Sequence, residues 1–142
     1  MNEPAHTPPR ARPESFRARD LKAALTVGDL PASLKWYQEA LGFTVARRYE
    51  RGGQLYAVAL AAGATELLLT QDDGSKGRDR AKGLGISLQF TTAQDIDGLA
   101  SRCRDHGAVL ETPPTDTPWG VRMFRIRDPD GFLFTIAAAR EA

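Results

Sequence analysis

One cysteine, Cys103, and two histidines, His6 and His106, are all that these 142 residues contain of thiol and imidazole. A lone cysteine excludes an internal disulfide and a multi-cysteine metal site. Its place in a helical pattern makes Cys103 a core residue rather than a catalytic thiol. Charge of one sign is also missing, since nineteen basic and eighteen acidic residues leave a formal charge of +1. That balance argues against a nucleic-acid binder and against a polybasic membrane anchor. No apolar run approaches the roughly twenty residues that span a bilayer, and the N-terminus lacks the continuous apolar stretch of a secretory signal. Small molecules and protein surfaces are left as the expected partners, with no nucleic acid and no membrane, and a cytoplasmic address fits.

What the chain has is 42% hydrophobic residues, enough for one ordinary domain with its own core. Residues 1–19 carry Pro4, Pro8, Pro9 and Pro13 among charges, with Phe16 as the one aromatic, and read as a tail with little to bury. The domain is expected over 20–139, as modules of about 20–71 and 84–139 joined by a charged linker at 72–83. In the first module an apolar strand at 21–27 ends at Gly28-Asp29, where Asp29 caps a helix over 31–41 that Gly42 closes. Leu30, Leu34, Tyr37 and Leu41 form its apolar stripe. Three strands follow at 43–49, 55–62 and 66–70, joined by glycine turns. The second module repeats the order: a strand at 84–91, a helix at 93–106, and strands at 108–111, 121–127 and 132–138, the first two of these three separated by a Pro113-Pro114 loop. Asp29 precedes a helix closed by Gly42-Phe43-Thr44-Val45, and Asp95 one closed by Gly107-Ala108-Val109-Leu110, which is the mark of a tandem duplication. The fold class is therefore α+β, two tandem βαβββ modules whose sheets form a cupped cleft.

The run from Leu25 through Gly28-Asp29-Leu30 to Trp36-Tyr37 and Leu41-Gly42-Phe43 resembles the opening of the vicinal-oxygen-chelate superfamily of glyoxalases, bleomycin-resistance proteins and dioxygenases. Trp119-Gly120-Val121-Arg122, followed by Asp128-Pro129-Asp130-Gly131, resembles the last hairpin of its bleomycin-resistance-like branch. The resemblance implies a divalent metal held by His and Glu from the sheets. At the corresponding positions stand Lys22, Leu68 (with Glu66 two residues earlier on the same face), Ser87 and Thr135. None is a usual ligand, and the Lys22 ammonium would repel a cation. His6 lies in the tail and His106 at a helix end, where the helix C-terminus favours it. No metal and no cofactor are expected.

Alternation along the strands turns Lys22, Ala24, Thr26, Glu66, Leu68, Thr70, Ser87, Gln89, Leu133 and Thr135 toward the cleft. Lys22 can meet a ligand carboxylate or phenolate and Glu66 an amine, or the two can pair with each other or reach solvent. Trp119 offers a stacking surface, with Tyr56 and Arg122 assisting, although Trp119 and Arg122 also have a structural reading. Trp36 and Tyr37 are expected to be packing or interface residues. The expected binding set is thus Lys22, Tyr56, Glu66, Leu68, Ser87, Gln89, Trp119, Arg122 and Thr135, with no catalytic residue identified. The expected function is metal-free sequestration of a hydrophobic or aromatic compound, such as an antibiotic or a natural-product intermediate. The alternatives are a metal-independent isomerase or cyclase in which Lys22 or Glu66 moves a proton, and a metal-dependent lyase or dioxygenase with displaced ligands. Whether the chain is an enzyme stays open. The resemblance also implies a homodimer, because family members complete their clefts by pairing modules within or between chains.

Overall fold

Asp29 and Asp95 open the two halves of the structure in the same way. Each is an extended residue whose carboxylate accepts a hydrogen bond from the first turn of a helix, from Ala32 N at 3.1 Å and from Gly98 N at 3.0 Å. Past each helix end a glycine with positive φ, Gly42 or Gly107, turns the chain back toward its sheet. The computed structural model describes residues 15–77 and 79–140. Its elements are β1 (Ala23–Val27), α1 (Leu30–Glu39), β2 (Thr44–Arg51), β3 (Gln54–Ala62), β4 (Thr65–Gln71), β5 (Ser87–Thr92), α2 (Ile96–Asp105), β6 (Leu110–Asp116), β7 (Arg122–Arg127) and β8 (Leu133–Ala138). They form two four-stranded sheets of matching order, β1-β4-β3-β2 and β5-β8-β7-β6, each with one parallel pair, β1 with β4 and β5 with β8. The expected two βαβββ modules are present. The first fourteen residues of the expected tail, His6 among them, lie outside the described residues, and 15–19 form no helix or strand.

Several boundaries differ from expectation by a few residues, β5 for one starting at Ser87 rather than at 84, and two of the differences have clear physical reasons. The second helix starts at Ile96 rather than at 93, because Asp95 acts as its cap. The Pro113-Pro114 segment lies inside β6 instead of forming a loop. β6 is an edge strand, and its register against β7 shifts between Thr112 and Thr115, so the missing proline N–H groups interrupt the ladder where interruption is tolerated.

The core is continuous across both modules. Leu30, Leu34 and Tyr37 of α1 and Ile96, Ala100 and Cys103 of α2 pack with Val58, Leu60, Leu67 and Leu69 of the first sheet and Phe124, Ile126, Phe134 and Ile136 of the second. Edge-to-face contacts link the modules, Tyr37 on Phe134 at 5.9 Å and Phe43 on Phe90 at 5.7 Å. Cys103 is buried here, its Sγ donating to Ala40 O at 3.4 Å, and burial pushes the thiol up to about 11. It is a packing residue with little thiolate character. Among the described residues no helix is long and apolar enough to cross a membrane.

A polar network crosses the same seam. The Tyr37 hydroxyl donates to Asp128 Oδ2 at 2.7 Å, and Asp128 Oδ1 accepts the backbone N–H groups of Asp130 and Phe132. Asp130 Oδ1 in turn accepts from Gly28 N at 2.9 Å. The charged linker folds onto this corner: Asp72 and Lys82 are both buried, with Lys82 Nζ 2.9 Å from Asp72 and 3.6 Å from Asp130. Gly83 then passes so close to the turn that a Cβ would lie 2.5 Å from the Gly131 carbonyl oxygen, and its φ of 78° also requires glycine. The two segments that carry the family resemblance, Gly28-Asp29 and Asp128–Gly131, are thus two sides of one contact.

Burial, chiefly, raises the Asp128 carboxyl above the usual carboxylate range, against the lowering effect of the Tyr37 hydrogen bond; burial and the neighbouring Asp128 together push the Tyr37 hydroxyl far up. A raised carboxyl pKa means that the stability Asp128 contributes is complete while it is protonated and is lost as pH rises through its folded value. The Tyr37 hydroxyl offsets part of that loss. We therefore expect Tyr37→Phe to destabilise the fold by about 2 kcal/mol at neutral pH, the scale of a hydrogen bond to a charged group. The loss should shrink as pH falls through the Asp128 pKa, a trend that urea denaturation of both proteins across acidic and neutral pH will reveal.

Candidate ligand site

Because the inner faces of both sheets are occupied by the helices and the shared core, the residues of opposite phase form two outer faces. On the first sheet Leu68 lies between Ala24 and Ala59 in neighbouring strands, and Thr70 between Thr26 and Ala57. That face is small and mostly apolar. On the second sheet Thr135 lies between Gln89 and Arg125, and Ala137 between Thr91 and Met123. These six residues, with Trp119 and Arg140 at its edge, line a hollow of about 310 Å³. The row Gln89, Thr135, Arg125 sets an amide, a hydroxyl and a guanidinium side by side across three strands.

Of the nine residues expected to bind ligand, Gln89, Trp119 and Thr135 come together in this hollow. Trp119 is 60% exposed at the rim. Its turn is closed by Thr117, whose backbone N–H and hydroxyl both bond to Val121 O, and Arg140 Nη2 donates to the Trp119 carbonyl at 2.9 Å. Ser87 starts β5 on the same face but does not line the hollow. Leu68 belongs to the outer face of the first sheet, where Lys22 and Glu66 are tied to each other. Lys22 Nζ is 3.5 Å from Glu66 and 3.8 Å from Asp20, and Glu66 Oε1 also accepts from Arg47 Nη2 at 2.6 Å. The Arg47 hydrogen bond, first of all, holds the Glu66 carboxyl below its usual value, so Glu66 is a poor proton acceptor. Tyr56 sits at a bulge of the β2–β3 hairpin with the Arg51 guanidinium 4.7 Å over its ring.

Arg122 has a structural role. Its Nε and Nη2 bond the two Asp97 carboxylate oxygens at 2.8 Å each, and Nη1 reaches Asp116 at 3.1 Å, pinning the start of β7 to the first turn of α2. The residues that sequence reading overlooked are Met123 and Arg125. Phe124 and Ile126 mark the buried phase of β7, which places 123 and 125 on the outer face, and that alternation was the available signal.

The residues do not fit a divalent metal. Among the described residues no three His, Cys, Asp or Glu side chains come together. The family's four ligand positions offer an ammonium, an alkyl group and two hydroxyls. His106 caps α2, its Nδ1 2.9 Å from Arg102 O.

A second hollow, of about 600 Å³, lies between the modules among Phe43, Ala62–Thr65, Phe90, Leu99 and Arg102. By the internal duplication it corresponds to the seam that the Asp128–Gly131 turn fills. Here the shorter Gly63-Ala64 turn leaves space, and Cys103 stands eight residues past its cap where Tyr37 stands in the first module.

Residues 21–136 match the model of the Glyoxalase/Bleomycin resistance protein/Dioxygenase superfamily. A curated relative from Brassica oleracea var. gemmifera, provisionally named lactoylglutathione lyase, is 25% identical over 130 residues, which cover 87% of this chain and 45% of that protein. The chain therefore spans about half the length of that relative. A superfamily member from Sphaerobacter thermophilus DSM 20745 is similar in structure, with a TM-score of 0.71, 24% identity, and coverage of 87% of this chain and 98% of that one. TioX from Micromonospora sp. ML1 gives a TM-score of 0.68 at 21% identity with the same coverage. At these identities the two structures show the fold.

The Arg122 clamp is partly exposed and screened by solvent, so we expect Arg122→Gln to lower stability only slightly in urea denaturation. The Arg122 hydrogen bond holds Asp97 below its usual value, so the clamp's contribution is present above the ordinary carboxylate range and is lost as pH falls through the lowered Asp97 pKa. The difference between the two proteins should vanish in that acid range.

Proposed function

The chain belongs to the Glyoxalase/Bleomycin resistance protein/Dioxygenase superfamily, and we propose that this member binds a small hydrophobic or aromatic compound directly on its sheet face, without a metal and without transforming it. The observation that carries this reading is the hollow on the second sheet. Its Gln89, Thr135 and Arg125 supply hydrogen bonds, while Trp119 and Met123 supply apolar surface, the mixture expected of a small-molecule pocket. The alternative isomerase or cyclase would need Lys22 or Glu66 as a proton carrier, and their mutual ion pair and the Arg47–Glu66 bond speak against that role. The lyase activity in the name of the Brassica relative is not carried over, because the residues at the metal positions do not suit a metal. An antibiotic or a natural-product intermediate is the kind of compound proposed.

We further propose a homodimer. The apolar row Ala24, Leu68, Ala59 and the polar row Gln89, Thr135, Arg125 lie on different outer faces of one chain. A second copy would set one row opposite the other and supply a cup with an apolar and a polar wall.

Calorimetric titration with 2-naphthalenemethanol, a neutral aromatic probe, tests the binding reading. Saturable binding is expected in protein dialysed against chelator, and Trp119→Ala should weaken it about tenfold by removing the stacking surface. Binding that arises only after a divalent metal is added, or that ignores Trp119→Ala, would count against the reading. Light scattering at micromolar concentration should give twice the 15.5 kDa chain mass; a monomer there would refute the dimer.

A further inference from the structure

Among the described residues, every charged side chain that lines the hollow is a cation, Arg125 and Arg140. Three acids of the same module pair with other arginines: Asp97 and Asp116 hold Arg122, and Glu111 holds Arg127. Arg140 donates to the Trp119 carbonyl. Arg125 differs from these arginines. Its Nε is buried, and no protein acceptor among the described residues reaches it. A buried, partnerless donor on a guanidinium is costly in a merely structural role, and the side chain that carries it also lines the hollow.

We propose that the ligand of this hollow is an aromatic carboxylate whose anionic group sits on Arg125, with Gln89 and Thr135 completing its hydrogen bonds and Trp119 covering its ring. The inference rests on the binding reading above and narrows it to one charge class. Three features select a carboxylate. The planar guanidinium fork matches two carboxylate oxygens. Thr135 is the register partner of both Gln89 and Arg125, so an amide N–H, a hydroxyl and the guanidinium converge on one strip of sheet. The strip lies beside Met123 and Trp119, which receive an apolar body while the charge meets Arg125. A cationic ligand would face two guanidiniums with no counter-charge.

The test titrates the full-length protein by calorimetry with 2-naphthoate, neutral 2-naphthalenemethanol and cationic 2-naphthylmethylamine. In the wild type the carboxylate should bind at least about tenfold more tightly than the alcohol, the least that a charge-assisted pair supplies, and the amine should bind weakest. Arg125→Gln should remove the preference for naphthoate, bringing its affinity down to that of the alcohol in the same variant. Arg125→Lys, which keeps the charge and loses the fork, should fall between them and serves where Arg125→Gln fails to fold. Equal binding of naphthoate and alcohol by the wild type would overturn the charge assignment while the binding reading stands, as when a carboxylate of a second copy neutralises Arg125. Naphthoate preference that survives Arg125→Gln would overturn the assignment to Arg125. Failure of all three compounds to bind would overturn the binding reading itself.

Discussion

The hydrogen bond from Tyr37 to the buried carboxylate of Asp128 fixes how the two halves of the molecule meet. It joins residues 91 positions apart, and it sits in a corner where Gly28, Asp130, Lys82 and Asp72 form one polar chain. Buried polar groups of this kind tolerate little displacement, since each loses its compensation once a partner moves. The duplicated modules could share an apolar core in many relative orientations. This corner selects one, with both helices and both inner sheet faces directed into the shared core. The internal symmetry is incomplete for the same reason. Where the second module offers a longer turn bearing Asp128, the first offers Gly63-Ala64, and a hollow takes the place of the polar corner.

Fixing the modules through their helix sides leaves the opposite sheet faces for ligand, and the chemistry of those faces has been divided. On the first, charge is neutralised within the chain by the Lys22, Glu66 and Arg47 cluster, and the central row is alanine and leucine. On the second, Asp97 and Asp116 clamp Arg122 and Glu111 pairs with Arg127, while the buried Nε of Arg125 has no partner among the described residues. A superfamily fold that elsewhere presents carboxylates and imidazoles to a metal here presents an amide, a hydroxyl and a guanidinium. Groups of that kind suit the direct, hydrogen-bonded binding proposed above better than coordination of a metal.

Much of this was legible in the sequence because it depends on neighbours. The caps at Asp29 and Asp95, the closing glycines and the strand alternation are local, and they were enough to recover the repeated βαβββ order; that Lys22, Leu68, Ser87 and Thr135 stand at the metal positions is what the family resemblance implies. Local signals misled where an edge strand absorbed Pro113 and Pro114, since whether a strand lies at an edge is a property of the sheet. They also favoured Arg122, conspicuous after Trp119-Gly120, over Arg125, which the alternation around Phe124 and Ile126 places on the outer face.

The sequence by itself determined the two modules and their elements, because each follows from residue type and short-range spacing. Only the tertiary structure decided which charges are engaged. Glu66 meets Arg47 across 19 residues and Arg122 meets Asp97 across 25, while the buried Nε of Arg125 finds no acceptor among the described residues, because such pairing depends on distances that folding alone creates.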